Sequence, residues 1–155
     1  MRNLIPTAEL AQHIGCEIAV SDWLAVDREH LQMFARATYL TPDDVDLTFS
    51  RNNRYGPDLI DGFLLLALLT HFHFQVQPYG REPGTWGLNY GLDRVRFLSP
   101  VMVGQRLRCR VQLLDVREKR AGQILVKTLD TLELENSEKP AMVADWWGLI
   151  MLENS

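Results

Sequence analysis

The spacing of hydrophobic residues changes near Thr85, so that mainly helices are predicted before this residue and only strands after it. One predicted helix follows Asp27, whose carboxylate is suited to cap the exposed N–H groups of the first turn. Pro42 ends it, because proline disfavours helical geometry in the residue before it. Its buried face has the spacing i, i+3, i+4 and i+7 and consists of Leu31, Phe34, Ala35 and Thr38. A short helical lead-in over residues 1–15 and a strand over 16–26 precede it.

The segment 61–74 is apolar on every face over two turns. A helix with this pattern is buried on all sides, so we predict a central helix in the core. Asp61 is placed to cap its N-terminus. Its histidines, His71 and His73, lie in its second half and are interpreted as satisfied residues of the core or of an interface.

Strands are predicted after the central helix. Arg106, Arg108 and Arg110 alternate with apolar residues, which indicates a strand with one solvated face. Further strands are predicted over 86–99, 124–135 and 141–152. In the last of these, the adjacent Trp146 and Trp147 point to opposite faces. A helix that is apolar all round needs a layer wrapped about it, and a curved antiparallel sheet is the available partner. Residues 1–155 are therefore predicted to form one α+β domain.

The composition is that of an ordinary soluble protein, with 46% hydrophobic and 23% charged residues. The longest apolar run, residues 63–69, is far shorter than the roughly 20 residues of a membrane span. The net charge of −4 argues against nucleic acid as a partner. The start of the chain is too short and polar for a signal peptide. Cys16 and Cys109 have no CxxC partner and are interpreted as buried thiols in a reducing cytoplasm.

A long polar segment, residues 40–60, separates the two predicted helices. Loops of this length in a compact domain are usually functional or disordered, and we predict that this one positions a substrate. Asp43, Asp44 and Asp46 form a cluster of carboxylates, which is either a site of acid–base chemistry or a solvated turn. The cluster lacks a histidine and a ligand spacing typical of a metal site, so no metal is predicted.

Five segments carry a resemblance to a known family. They are residues 34–38 (FARAT), 60–64 (IDGFL), 89–97 (NYGLDRVRF), 100–104 (PVMVG) and 139–144 (KPAMVA). In this order they resemble the MaoC-like branch of the hot-dog fold, the (R)-specific enoyl-thioester hydratases and dehydratases, and especially its nodulation-protein-N-like members. The resemblance implies a sheet wrapped around one central helix and a homodimer with the active site near the seam. It also implies no cofactor and an acyl substrate linked to coenzyme A or a carrier protein.

The chain departs from this family at its catalytic residues. In the family, Ala-Thr is followed by Gly-Asp, and a histidine comes five residues after that aspartate. Here Ala37-Thr38 is followed by Tyr39-Leu40, and Val45 stands five residues after Leu40. The resemblance therefore implies that the usual Asp–His dyad is missing.

The remaining groups that could perform chemistry are predicted to lie at the start of the central helix. Its unpaired N–H groups and positive dipole end suit a thioester carbonyl. Gly62 would let an acyl group approach closely, or would serve a tight helix–sheet contact. Asp61 is either a lone acid or base or only a helix cap, with Asp44 and Asp43 as further catalytic candidates. Side chains expected to contact the substrate are Phe63, Tyr39, Tyr55, Asn89 and Tyr90.

Two functions are compatible with these residues. One is a divergent enzyme acting on an unsaturated or β-hydroxy acyl thioester, or performing a related elimination, isomerisation or cyclisation with one carboxylate, for example in a specialised secondary-metabolite pathway. The alternative is a non-catalytic hot-dog subunit or acyl-binding partner of a dehydratase that retains the dyad. A third reading, a hydratase with a displaced dyad, would need a histidine such as His71 facing the pocket.

Overall fold

The computed structural model describes residues 4–48, 52–76 and 78–153. Residues 49–51, part of the predicted loop over 40–60, lie outside these ranges. The described elements are a 3-10 helix (Thr7–His13), β1 (Glu17–Val20), β2 (Leu24–Ala25), α1 (Arg28–Ala37), α2 (Gly62–Val76), β3 (Thr85–Phe97), β4 (Arg106–Arg120), β5 (Gln123–Leu134) and β6 (Met142–Leu152). This order confirms the predicted α+β class.

The strands form one six-stranded antiparallel sheet in the order β1-β4-β5-β6-β3, and β2 also pairs with β4. The predicted strand over 16–26 is wrong as one unit, because it is divided into β1 and β2. Between them the Ser21 hydroxyl accepts the Cys109 N–H at 2.8 Å, so a side chain replaces part of the backbone pairing. Asn136 and Gly122 have positive φ values of 61° and 73° in the turns that flank β5.

Helix α1 begins as predicted and ends earlier than predicted. The Asp27 carboxylate accepts the His30 N–H at 2.9 Å, and this hydrogen bond holds the pKa of Asp27 below its ordinary value. The helix ends at Ala37 rather than at Pro42. The Thr38 hydroxyl donates to the Phe34 carbonyl at 2.7 Å, and Tyr39 then adopts a positive φ of 58°. Thr38 is therefore the C-cap and not part of the helical face.

Helix α2 packs on the sheet, but it is not buried on every side. Its buried residues are Leu64, Leu65, Leu69, Phe72 and Val76. On the other side, Phe63 and Phe74 are 68% and 73% exposed. The prediction of burial all round was wrong for the single chain, because one sheet covers only one face of a helix whose apolar residues lie on all faces. None of the helices among the described residues is long and apolar enough to cross a membrane.

The two faces of the sheet have different environments. On the α2 side, Trp146 contacts the His73 ring with centroids 4.3 Å apart. On the other side, the Trp147 indole N–H donates to Asp93 at 2.8 Å, which confirms that the two tryptophans face opposite ways. Cys109 is buried, and this burial, aided by the charge of Asp130, raises the pKa of its thiol. Cys16 is exposed, so its predicted burial was wrong; it lies in the turn that leads into β1.

Glu82 ties the 3-10 helix to the segment after α2, because its carboxylate accepts the Thr7 N–H. Burial opposes the charge, but the hydrogen bonds, led by that of Thr7, outweigh it and hold the pKa of Glu82 below its ordinary value. A lowered pKa contributes stability above the ordinary value of about 4.3, and this stability is lost as the pH falls through the folded-state pKa.

We therefore expect Glu82→Gln to lower the free energy of unfolding by about 0.5 kcal/mol at neutral pH, a value kept small by solvent screening. The difference from the wild type should vanish near pH 3, as thermal unfolding at the two pH values will show. Glu9→Gln, on the exposed side of the same 3-10 helix, is the matched control. A Glu82→Gln deficit that persists at low pH would contradict a role for the charge.

Candidate active site

The N-terminus of α2 is built by Asp61, Gly62 and Phe63. The Asp61 carboxylate accepts the Phe63 N–H at 2.7 Å, so the predicted capping is confirmed. Asp61 is exposed, and the closed apolar surroundings expected for an acid or base are not formed by the single chain. The N–H groups of this turn and the helix dipole remain suited to an electron-rich oxygen.

Gly62 is a point of close contact with the sheet. A Cβ atom added there would lie 3.1 Å from the Phe97 ring, closer than ordinary van der Waals contact. The Phe63 and Phe97 rings meet edge to face with centroids 6.3 Å apart. A small residue is therefore required at position 62 for α2 to approach the end of β3. Of the two predicted uses of this glycine, the structure shows the tight helix–sheet contact.

The carboxylates of the 40–60 segment have local hydrogen bonds and are exposed. Asp44 accepts from the Thr41 hydroxyl at 2.5 Å, and Asp46 accepts from the Thr48 hydroxyl at 2.6 Å. Asp43 is exposed in the same turn. These contacts are those of a solvated turn. In the described part of the chain, no group of three or more His, Cys, Asp or Glu residues could hold a metal ion.

Tyr39 and Tyr55 lie on the surface of the single chain. Tyr39 is 72% exposed at the end of α1. The Tyr55 hydroxyl accepts from the Arg54 guanidinium at 2.5 Å, and the same guanidinium lies 4.8 Å from the Tyr55 ring centroid. Neither tyrosine is brought against Asp61 by a contact that the described residues show.

Asn89 and Tyr90 lie near the second half of α2 rather than at its N-terminus. Asn89 is eight positions before Phe97 on β3, which corresponds to about 26 Å along a strand. Asn89 and Tyr90 border a cavity that is also lined by Leu66 and Thr70. The Tyr90 ring itself lies 4.5 Å from the Lys119 ammonium. Of the predicted substrate-contacting residues, Phe63 thus lies at the N-terminus of α2, whereas Asn89 and Tyr90 lie near its second half.

The sequence interpretation did not single out Asp130, which pairs with His73. The His73 Nε2 and Asp130 Oδ1 atoms are 2.7 Å apart, and the Thr128 hydroxyl donates to the other Asp130 oxygen at 3.1 Å. Asp130 is fully buried, so the prediction that His73 is a satisfied residue is confirmed. The sequence does contain a signal for this pair. Asp130 is an acidic residue at an inward-facing position of β5, where the other inward-facing neighbours are Thr128 and Leu132. His71, the histidine that a displaced dyad would need, is exposed, so its predicted place in the core was wrong for the single chain.

Comparison with known proteins links this fold to one family. The family model for the MaoC like domain matches residues 9–136. Nodulation protein N of Rhizobium leguminosarum bv. viciae is 36% identical over 152 residues, covering 94% of this chain and 91% of that protein. The 3-hydroxyacyl-thioester dehydratase Z of Mycobacterium tuberculosis is 34% identical over 149 residues, covering 94% and 95%.

Solved structures agree on the fold. A monoamine oxidase regulatory protein from an Archaeoglobus species superposes with a TM-score of 0.76 at 20% identity, covering 97% of each chain. The R-hydratase PhaJ1 of Pseudomonas aeruginosa superposes with a TM-score of 0.62 at 23% identity, covering 98% of this chain and 88% of that one. Together with the antiparallel sheet and the helix packed on it, these similarities confirm the predicted hot-dog fold.

Proposed function

Because the chain belongs to the MaoC-like domain family, we propose that it is a lyase acting on an unsaturated or β-hydroxy acyl thioester carried by coenzyme A or a carrier protein. The observation that carries this proposal is the similarity to the mycobacterial 3-hydroxyacyl-thioester dehydratase along nearly its whole length. The similarity covers 94% of this chain and 95% of that protein, so it includes the segments that form α2 and the sheet.

The proposed chemistry uses one carboxylate in place of the family dyad. Leu40 and Val45 stand where the resemblance places the aspartate and histidine, and neither side chain transfers protons. Asp61 lies at the N-terminus of α2, and the positive end of the helix dipole there would stabilise the negative charge that develops on a thioester oxygen. We therefore assign the proton transfer to Asp61 and the contact with the acyl head to Gly62 and Phe63.

We further propose that the chain acts as a homodimer formed through α2 and β3. Phe63 and Phe74 expose their rings on α2, and β3 is an edge strand of 13 residues that pairs only with β6 among the described strands. Trp86, Leu88 and Leu92 are exposed on this edge. A long apolar edge strand promotes association, and a second copy that pairs with β3 as far as Phe97 would also lie close to the N-terminus of α2.

The dimer is tested with Phe74→Asp. A charge placed in the buried centre of an interface should convert the protein to a monomer, as measured by sedimentation at micromolar concentration. Ile14→Asp introduces the same charge at a position that is 45% exposed on the lead-in segment and should leave the mass unchanged. A Phe74→Asp protein that sediments like the wild type would exclude this face.

The catalytic proposal is tested by hydration of crotonyl coenzyme A. Asp61→Asn should reduce kcat/KM by about 10²–10⁴-fold, the usual contribution of an acid–base group. Asp43→Asn, in the solvated turn, should change it less than threefold. Full activity of Asp61→Asn would remove Asp61 from the mechanism. A wild type that turns over no thioester, purified together with a dyad-bearing dehydratase, would instead support the non-catalytic subunit.

A further inference from the structure

Two cavities follow one another along α2 on the side that faces β3 and β6. The first, about 300 Å³, is bounded by the helix from Leu66 to Thr70. The second, about 170 Å³, extends from His73 to Gly80. Asn89 and Trp146 line both, so the two form one groove that runs along α2. The groove ends about 16 Å from Gly62, given the rise of an α-helix over eleven residues.

The wall of the groove is mostly apolar until it reaches His73. Asp130 is fully buried and, as a carboxylate, only accepts hydrogen bonds. The hydrogen bond over 2.7 Å therefore places a proton on the His73 Nε2 atom. In the tautomer that this hydrogen bond selects, Nδ1 is the acceptor nitrogen of the ring, and it has no hydrogen-bond partner in the described part of the chain. The buried aspartate thus orients an acceptor at the end of the groove.

Two residues that carry donor groups line the same cavity. They are Tyr79 and Asn89, and no described residue forms a hydrogen bond with the Tyr79 hydroxyl or the Asn89 amide. Burial, and after it the charge of Asp130, raises the pKa of Tyr79, so its hydroxyl stays protonated and able to donate. Room for a ligand is left by glycines: Gly148 is the strand partner of Asn89, and Gly87 is two positions before Asn89 on β3.

One acceptor and two donors around an apolar groove match a hydroxyl group on a hydrocarbon chain. A hydroxyl donates once and accepts twice, whereas a ketone would leave the His73 acceptor unmatched and a methyl group would leave all three unmatched. We propose that this groove binds the acyl chain of the substrate and that His73, Tyr79 and Asn89 bind a hydroxyl group on the distal part of that chain. This inference rests on the proposed function and specifies its substrate as a distally hydroxylated acyl thioester.

Affinity for a pair of ligands tests the inference without requiring turnover. Dodecenoyl and ω-hydroxydodecenoyl coenzyme A differ only in the terminal hydroxyl, and calorimetric titration gives the dissociation constant of each. We expect the wild type to bind the hydroxylated ligand on the order of tenfold more tightly. Tyr79→Phe removes one hydroxyl and should reduce this ratio about threefold. Ser137→Ala, which removes one exposed hydroxyl in the turn between β5 and β6 and lies outside the groove, is the matched control and should preserve the ratio.

His73→Gln tests the acceptor while keeping an amide N–H for Asp130. This variant should bring the ratio of the two dissociation constants close to one. Its melting temperature shows whether the fold is retained, and if the fold is lost, Tyr79→Phe provides the test instead. A wild-type ratio near one, or no binding of either ligand, overturns the inference. Turnover of both thioesters with equal affinities would contradict only the inference about the hydroxyl group and would still support the proposed function. Preferential binding of the hydroxylated ligand without turnover would contradict only the proposed function.

Discussion

Replacing Phe72 by alanine should destabilise the fold by about 3–5 kcal/mol, the usual loss when a buried aromatic residue leaves a cavity. Phe72 is fully buried and is the largest such side chain in the core. It lies in one cluster with Leu69 of α2 and with Cys109 and Leu132 of the sheet. The loss arises because the surrounding side chains, close-packed on a rigid sheet, collapse only partly into the space of the missing ring.

Phe74 provides the matched control, since it lies on the same helix two residues away and is 73% exposed. Phe74→Ala should cost less than about 0.5 kcal/mol in the single chain. Urea unfolding followed by circular dichroism at two protein concentrations measures both variants. The Phe72→Ala loss should be the same at both concentrations, while any Phe74→Ala loss should grow with concentration if a second copy covers this face. Equal losses in the two variants at low concentration would contradict the assigned orientation of α2.

The strands were predictable because alternation is a local property. The inward residues of β4 and β5 follow a period of two, and the turn at Gly122 interrupts it where a positive φ is needed. The end of α1 was not predictable in the same way. The Thr38 hydroxyl competes for the Phe34 carbonyl and the chain leaves the helix, although Pro42 is the stronger signal in the sequence.

The orientation of α2 could not be predicted, because its sequence has no polar face. When a helix has apolar residues on every side, the spacing of these residues does not indicate which side packs against the sheet. The small residue at position 62 indicated a tight contact, but its partner, Phe97, is 35 residues later in the sequence. The exposed rings of Phe63 and Phe74 show which face is left uncovered by the sheet.

The residues predicted to form one site lie at two separate places in the structure, and this too could not be predicted from local sequence. Asp61 and Asn89 were grouped because both belong to segments that resemble the same family, yet they lie near opposite ends of α2. The pairing of His73 with Asp130 joins residues 57 positions apart and depends on the strand order, which pattern alone does not determine. An acidic residue at an inward position of a strand is the feature that would have drawn attention to this pair.

Replacing His73 by leucine should destabilise the chain by about 3–5 kcal/mol, because it leaves the Asp130 carboxylate buried with only the Thr128 hydroxyl as a partner. Asp130→Leu should cost less, since the His73 side chain is partly exposed and can exchange its lost partner for water, which a fully buried carboxylate cannot do.

The double variant distinguishes the cost of an unpaired charge from the value of the pair. With both residues replaced by leucine, no charge remains to be buried, and the double variant should be more stable than His73→Leu alone. Urea unfolding of the wild type, the two single variants and the double variant is measured at one protein concentration. The four midpoints, together with the m-values, give the coupling energy between His73 and Asp130. Additive losses would mean that the two side chains do not interact. A His73→Leu protein within 1 kcal/mol of the wild type would mean that Asp130 is stabilised by groups other than the imidazole.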